Sequence, residues 1–141
     1  MIIFELKGWQ ILLVDDDADS IDMFAELFRH EGALVDKSQS PVQALQLLKI
    51  NHYDLLISDV SMPEMNGYDF IKEARRLFPN SKLVAVAMTG RGQLGDEEKT
   101  RKAGFDIHLH KPVSIRQIKE ALAHYMSSKK SLLDSDKNAA G

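Results

Sequence analysis

The residues of this chain best suited to chemistry are carboxylates that close apolar runs. Tyr53-Asp54-Leu55-Leu56-Ile57-Ser58 ends on Asp59 and breaks into Val60-Ser61-Met62-Pro63-Glu64-Met65-Asn66-Gly67, while Gln10-Ile11-Leu12-Leu13-Val14 ends on Asp15-Asp16-Asp17. Two chain-distant pieces belong with them: Thr89, closing a third apolar run, and Lys111, just before Pro112. Clustered carboxylates repel one another unless a cation is present or one of them takes up a proton. Magnesium prefers near-octahedral oxygen ligands and keeps several waters, so two or three carboxylates suit it better than a closed cage. Asp16 and Asp59 are candidate direct ligands for Mg²⁺ or Mn²⁺, with Asp15 acting through water. An aspartate can also attack a phosphoryl group as a nucleophile. Transfer then requires the equatorial oxygens to be neutralised, and a metal, an ammonium and a hydroxyl are the right parts. Here those parts are the cation, Lys111 and Thr89, with Asp59 as acceptor. Each has a plainer reading alone: acidic residues favoured at a helix start, a surface lysine, a strand-end threonine making a local turn bond.

What must position these residues is a set of strands that all deliver their ends to one rim. Gln10–Val14 and Asp54–Ser58 read as strands buried on both faces, as does Lys82–Met88, and Leu34–Lys37 and Phe105–Leu109 complete a set of five. Helices alternate with them. Ala18–Glu31 carries Ile21, Phe24, Ala25, Leu27 and Phe28 at helical spacing, with Asp19 or Ser20 as the cap and Gly32 as the stop. Ser40-Pro41 is a strong start for a helix burying Val42, Ala44, Leu45, Leu47 and Leu48 up to about Asn51. Gly67 lets the next helix begin close to the sheet; that helix presents Phe70, Ile71, Ala74, Leu77 and Phe78 and closes at Pro79-Asn80. Gly90, Gly92 and Gly95 make the loop after Thr89 flexible. Asp96–Ala103 offers almost nothing apolar, which predicts weak anchoring. Ser114–Ser127 turns Ile115, Ile118, Leu122, Ala123 and Met126 inward, and residues 128–141 read as a mobile polar tail. Five strands alternating with five helices argue for an open parallel sheet covered on both faces, whose sites lie at the carboxyl ends of the strands.

Length and composition bound the rest. At 141 residues there is room for one domain. Hydrophobic residues at 44% and charged residues at 28% are ordinary for a globular protein. The net charge of −3 gives no electrostatic footprint for direct nucleic-acid binding. No cysteine is present, which excludes disulfides, thiolate metal sites and a cysteine nucleophile. The apolar patch at the N-terminus is too short for a signal peptide or a spanning helix, so no membrane role and a cytoplasmic location are expected.

From about Gly8 to Met126 the chain resembles the receiver domain of two-component response regulators. The motifs are Leu12-Leu13-Val14-Asp15-Asp16-Asp17, Ser58-Asp59-Val60-Ser61-Met62-Pro63-Glu64-Met65-Asn66-Gly67, Met88-Thr89-Gly90 and Ala103-Gly104-Phe105-Asp106-Ile107-His108-Leu109-His110-Lys111-Pro112. The resemblance implies a flavodoxin-like (βα)5 fold with strand order 2-1-3-4-5, an extension over residues 1–8, the domain over 9–127 and the tail over 128–141. It implies phosphoryl transfer to Asp59 from a histidine on a sensor histidine kinase or a histidine phosphotransfer protein. The domain would catalyse only its own phosphorylation and dephosphorylation and would switch partner binding; a homodimer is compatible. Asp15 and Asp16 would form the acidic pair, Asp16, Asp59 and the Ser61 carbonyl would ligate Mg²⁺, and Thr89 and Lys111 would contact the phosphoryl oxygens. Ser61 and Arg91 resemble positions that tune phosphate lifetime in the family.

Two departures stand out. Where the family has a switch aromatic, usually Tyr or Phe, this chain has His108, as in receivers resembling those of hybrid kinases. His108 and His110 read as half-buried side chains, not metal ligands, and His30, His52 and His124 as surface residues. The other departure is the charged segment Asp96–Ala103, expected to shift on phosphorylation and to present a polar partner surface. Three rival readings stand beside this one. An aspartate-nucleophile hydrolase would want a carboxylate where Ser61 stands, and a dinucleotide or flavin binder would find phosphate repelled by Asp15-Asp16-Asp17. A phosphorylation-independent interaction module on the same fold is the alternative that mass analysis with a phosphodonor would decide.

Overall fold

The computed structural model describes residues 4–62, 64–79, 81–90 and 96–140, with side chains through Lys129 other than that of Asp96. Pro63, Asn80, Arg91, Gly92 and Gly95, all named above, lie outside the described residues. The elements run β1 (Gln10–Val14), α1 (Ala18–His30), β2 (Leu34–Ser38), α2 (Pro41–Ile50), β3 (Leu55–Asp59), α3 (Gly67–Leu77), β4 (Val84–Thr89), α4 (Asp96–Ala103), β5 (Ile107–His110) and α5 (Ile115–Ala140). The strands form one parallel sheet in the order β2-β1-β3-β4-β5, the expected flavodoxin-like arrangement.

Because side chains alternate along a strand, each central strand feeds two cores. Ile11, Leu13, Leu55, Ile57, Val86 and Met88 pack with Ile21, Phe24 and Phe28 of α1 and Ile118 and Leu122 of α5. Leu12, Val14, Leu56, Ala85 and Ala87 face the other way, onto Ala44 of α2, Phe70, Ile71 and Ala74 of α3, and Ala103 of α4. Burial on both faces is why these strands read as unbroken apolar runs.

Several helix and strand details differ from expectation. Asp17, not Asp19 or Ser20, caps α1: its carboxylate accepts from the N–H groups of Asp19 and Ser20, which makes the last residue of the acidic cluster a structural one. Leu27 and Val42 are exposed, since each sits off the stripe formed by its helix's buried residues. Met126 is exposed for the same reason, beyond the Ile118 and Leu122 contacts of α5. β5 begins at Ile107 because Phe105 is buried with the α3 and α4 side chains instead. The expected cap of α2 is present, Ser40 Oγ accepting from the Gln43 N–H with Pro41 at the first turn.

Both ends of the chain carry more structure than their composition suggests. The extension is part of the core: Leu6 is fully buried among the α1 and α5 side chains, and Phe4 meets Trp9 edge to face with ring centroids 5.3 Å apart. At the other end α5 continues as helix to Ala140, past Ser127 and through the segment read as a tail. Polarity alone does not end a helix, and no glycine or proline interrupts Ile115 to Ala140. Segment α4 is also better anchored than its composition suggests. Thr100 and Ala103 are buried, and Lys99 Nζ stands 4.5 Å from the centre of the Tyr68 ring on α3. The exposed pairs Arg101–Glu97 and Lys102–Glu98 add little.

Candidate functional site

β1 and β3 are neighbours, with Val14 opposite Ser58, so their ends leave Asp15 and Asp59 side by side on the rim. Both are buried, at 3% and 6% exposure, whereas Asp16 faces solvent. One oxygen from each of Asp15, Asp16 and Asp59 falls within 4.8 Å of the others. An all-oxygen set of three carboxylates, two sunk at strand ends and one open to water, matches the donor preference of magnesium or manganese.

Lys111 reaches this cluster from the turn after β5. Its Nζ lies 3.1 Å from Asp59 Oδ2 and 3.8 Å from Asp15 Oδ2. The Lys111 N–H donates to the Thr89 carbonyl at 2.7 Å, and the Lys111-Pro112 peptide is cis. Asp59 is held at its second oxygen too, where Oδ1 accepts from the Ser61 N–H at 3.1 Å. Asp15 Oδ1 accepts from the Asp17 N–H at 2.9 Å. Burial pushes the Asp15 carboxyl above its ordinary range; the Asp17 N–H and the Lys111 ammonium pull it back, and the Asp59 and Asp16 charges raise it further.

Gly67 sets how closely the next element passes the acceptor. The Gly67 N–H donates to the Val60 carbonyl at 2.7 Å, and a β-carbon there would stand 2.7 Å from Val60 Cα and 2.8 Å from the Asp59 carbonyl oxygen. Only glycine lets α3 start so near β3. Asn66 caps it, accepting from the Asp69 N–H at 2.9 Å.

Thr89 is at the end of β4 as expected and 1% exposed, but its hydroxyl is engaged with two histidines. Thr89 Oγ1 is 3.0 Å from His108 Nε2 and 3.2 Å from His110 Nδ1. The far side of the His108 ring meets α4, with Nδ1 2.7 Å from Thr100 Oγ1. The two histidine rings lie with centroids 4.7 Å apart. Thus the rim brings together Asp15, Asp16, Asp59 and Lys111, with Thr89 in an adjoining hydrogen-bond chain. Sequence reasoning missed Thr100 and gave His110 no role. Thr100 stands three residues before Ala103 in an otherwise charged segment, and that spacing was the available signal of a buried face.

The family model for the response regulator receiver domain matches residues 11–123. The chain is 36% identical over 120 residues to an uncharacterized 14.6 kDa protein in the sodA1 3′ region of Leptolyngbya boryana, covering 85% of this chain and 92% of that one. It is 26% identical over 116 residues to the polar-differentiation response regulator DivK of Brucella ovis, covering 82% and 94% of the two chains. Among solved structures, a response regulator receiver domain protein from Clostridium thermocellum aligns with a TM-score of 0.76 at 26% identity, over 88% of this chain and 98% of its own. A CheY-like receiver domain from Methylobacillus flagellatus aligns with a TM-score of 0.74 at 27% identity, over 84% and 99%.

Proposed function

Because the chain belongs to the response regulator receiver domain family, we propose that it is a phosphoacceptor signalling domain in which Asp59 receives a phosphoryl group from a partner's phosphohistidine. The partner is a sensor histidine kinase or a histidine phosphotransfer protein, and the phosphorylated state changes which partners the domain binds. The observation that carries this reading is the Asp59 carboxylate itself: sunk at a strand end, held at both oxygens, and facing an ammonium at 3.1 Å beside two further carboxylates.

In the transfer, an Asp59 carboxylate oxygen forms a bond to phosphorus as the phosphorus–nitrogen bond to the donor imidazole breaks. The departing ring keeps the bonding electron pair and takes up a proton. Asp15, Asp16, Asp59 and the Ser61 carbonyl would hold Mg²⁺ or Mn²⁺. When bound, the cation supplies positive charge against the phosphoryl oxygens. The Ser61 N–H fixes the plane of the Asp59 carboxylate before attack, so that little reorganisation remains to be done. Lys111 transfers its ammonium from Asp59 Oδ2 to a phosphoryl oxygen, and Thr89 donates its hydroxyl proton to another. The domain acts as catalyst only on its own phosphorylation and dephosphorylation. No helix among the described residues is long and apolar enough to cross a membrane.

Incubation with Mg²⁺ and a small phosphodonor such as acetyl phosphate tests the reading by intact mass. One phosphoryl increment should appear in the wild type and be absent in Asp59→Asn. An unchanged wild-type mass, or equal increments in both, would leave a phosphorylation-independent interaction module as the better account.

A further inference from the structure

We propose that the groove between the C-terminal ends of α2 and α3 receives the distal turns of α5 from a second copy of this chain, closing a two-fold pair at the edge of the sheet opposite Asp59. Helix α2 is far more apolar than its burial requires. Of Pro41–Ile50, seven residues are apolar and Lys49 alone is charged, yet only Pro41 and Ala44 are buried. Val42 is 48% exposed and Ile50 77%. A helix apolar over most of its surface is one that something covers. Beside its last turn lies a cavity of 530 Å³ walled by Leu48, Ile50, Phe78 and Leu83. An adjoining cavity shares Ile50 and extends the apolar strip to Leu34, 62% exposed. Lys49, His52 and Arg75 line the first cavity, and among the described residues no acidic side chain does. The groove therefore fits a segment that is apolar and acidic.

The distal turns of α5 carry such a segment, Leu132-Leu133-Asp134-Ser135-Asp136. Residues 126–129 are already exposed, and the helix runs on to Ala140, about 22 Å past Tyr125 at 1.5 Å per residue. It leaves the domain at the edge where the groove lies. Each helix runs back against the strand before it, so α2, α3 and α5 all end where the strands begin. Tyr125 Oη donates to Asp106 Oδ1 at 3.1 Å, and Asp106 Oδ2 accepts from Nη2 of the groove residue Arg75 at 2.9 Å. Yet α5 covers the sheet face opposite α2 and α3. With no glycine or proline in Ile115–Ala140, it has no kink to carry it around the edge into its own groove. A second copy meeting the first edge to edge reaches it directly. Because groove and distal helix share one edge, a single two-fold rotation seats both exchanges at once and closes a pair instead of a filament. Both Asp59 rims stay at the outer ends, so the pairing does not rest on the phosphoryl chemistry proposed above.

Sedimentation velocity of the full chain over a concentration series, without phosphodonor, tests the pairing. The wild type should rise to twice the monomer mass. Ile50→Asp alters a largely exposed side chain and should leave the circular dichroism and urea midpoint unchanged. This variant and the double variant Leu132→Asp/Leu133→Asp should each weaken the pair by about a hundredfold or more, since every change occurs twice in it. Mixed one to one, the two variants combine an intact groove on one chain with an intact distal helix on the other. The mixture should therefore pair more tightly than either variant with itself. If Ile50→Asp pairs like the wild type while the leucine variant does not, the distal helices pair with each other and the proposal fails. It fails equally if the mixture gains nothing. A wild-type monomer at every concentration also overturns it, whether the groove then takes a foreign partner or none.

Discussion

Replacing Gly67 with alanine would put a β-carbon 2.7 Å from Val60 Cα and 2.8 Å from the Asp59 carbonyl oxygen. Both obstacles are main chain, so neither can swing aside as a flexible side chain would. Overpacking of this kind costs about 1–3 kcal/mol, and the rigid partners place it at the upper end. Alanine's better helix propensity returns at most about 1 kcal/mol, and less at a first-turn position. The expected net loss is about 2 kcal/mol. Relief can come only by moving α3 away from β3, which also disturbs the Ser61 N–H that holds Asp59 Oδ1. Urea unfolding should therefore show a lower midpoint with an unchanged m-value. Acetyl phosphate should also label the variant more slowly than the wild type under identical Mg²⁺. An equal or higher midpoint for Gly67→Ala would refute the claim that this close approach positions the acceptor.

Three further outcomes follow from the same geometry. Leu6→Ala should lower stability by about 3 kcal/mol in denaturant unfolding, because it empties a fully buried position; a neutral result would show that the N-terminal residues are merely appended. Lys111→Met leaves Asp15 and Asp59 without their shared ammonium, and in metal-free buffer it should cost about 1–2 kcal/mol, discounted because that side chain is 39% exposed. Added Mg²⁺ should recover most of this loss, and a Mg²⁺-insensitive variant would contradict the arrangement. Asp15 has its folded pKa raised above the ordinary 3.8, so ionisation of the folded protein is disfavoured and stability falls as pH rises through that interval. In chelator at neutral pH, Asp15→Asn should therefore be more stable than the wild type, the gap closing below about pH 4; a less stable variant at neutral pH would reverse the sign assigned to burial.

The positions of Asp15, Asp59 and Lys111 were legible because each follows or precedes an apolar run whose burial is dictated by the sheet. Gly67 was legible too, as the one residue type able to turn into a helix at that distance. Thr100 was not, since its burial depends on pairing with His108 across α4 and β5, a contact that no local pattern encodes. The same holds for the Thr89 hydroxyl, whose bonding to two histidines arises from the register between β4 and β5. Leu6 escaped because three residues around it are polar or glycine, and its packing is set by α1 and α5. The extent of α5 escaped because composition distinguishes exposed from buried helix poorly, and only glycine or proline would have marked an end.

The central claim is tested most directly by trapping the acyl phosphate where it forms. After incubation with Mg²⁺ and acetyl phosphate, borohydride reduces an aspartyl phosphate to homoserine, and peptide mass mapping locates the modified residue. The account predicts homoserine at position 59, dependent on the divalent cation and the phosphodonor. Homoserine at Asp15 or Asp16, or none anywhere in a fully mapped chain, would contradict it.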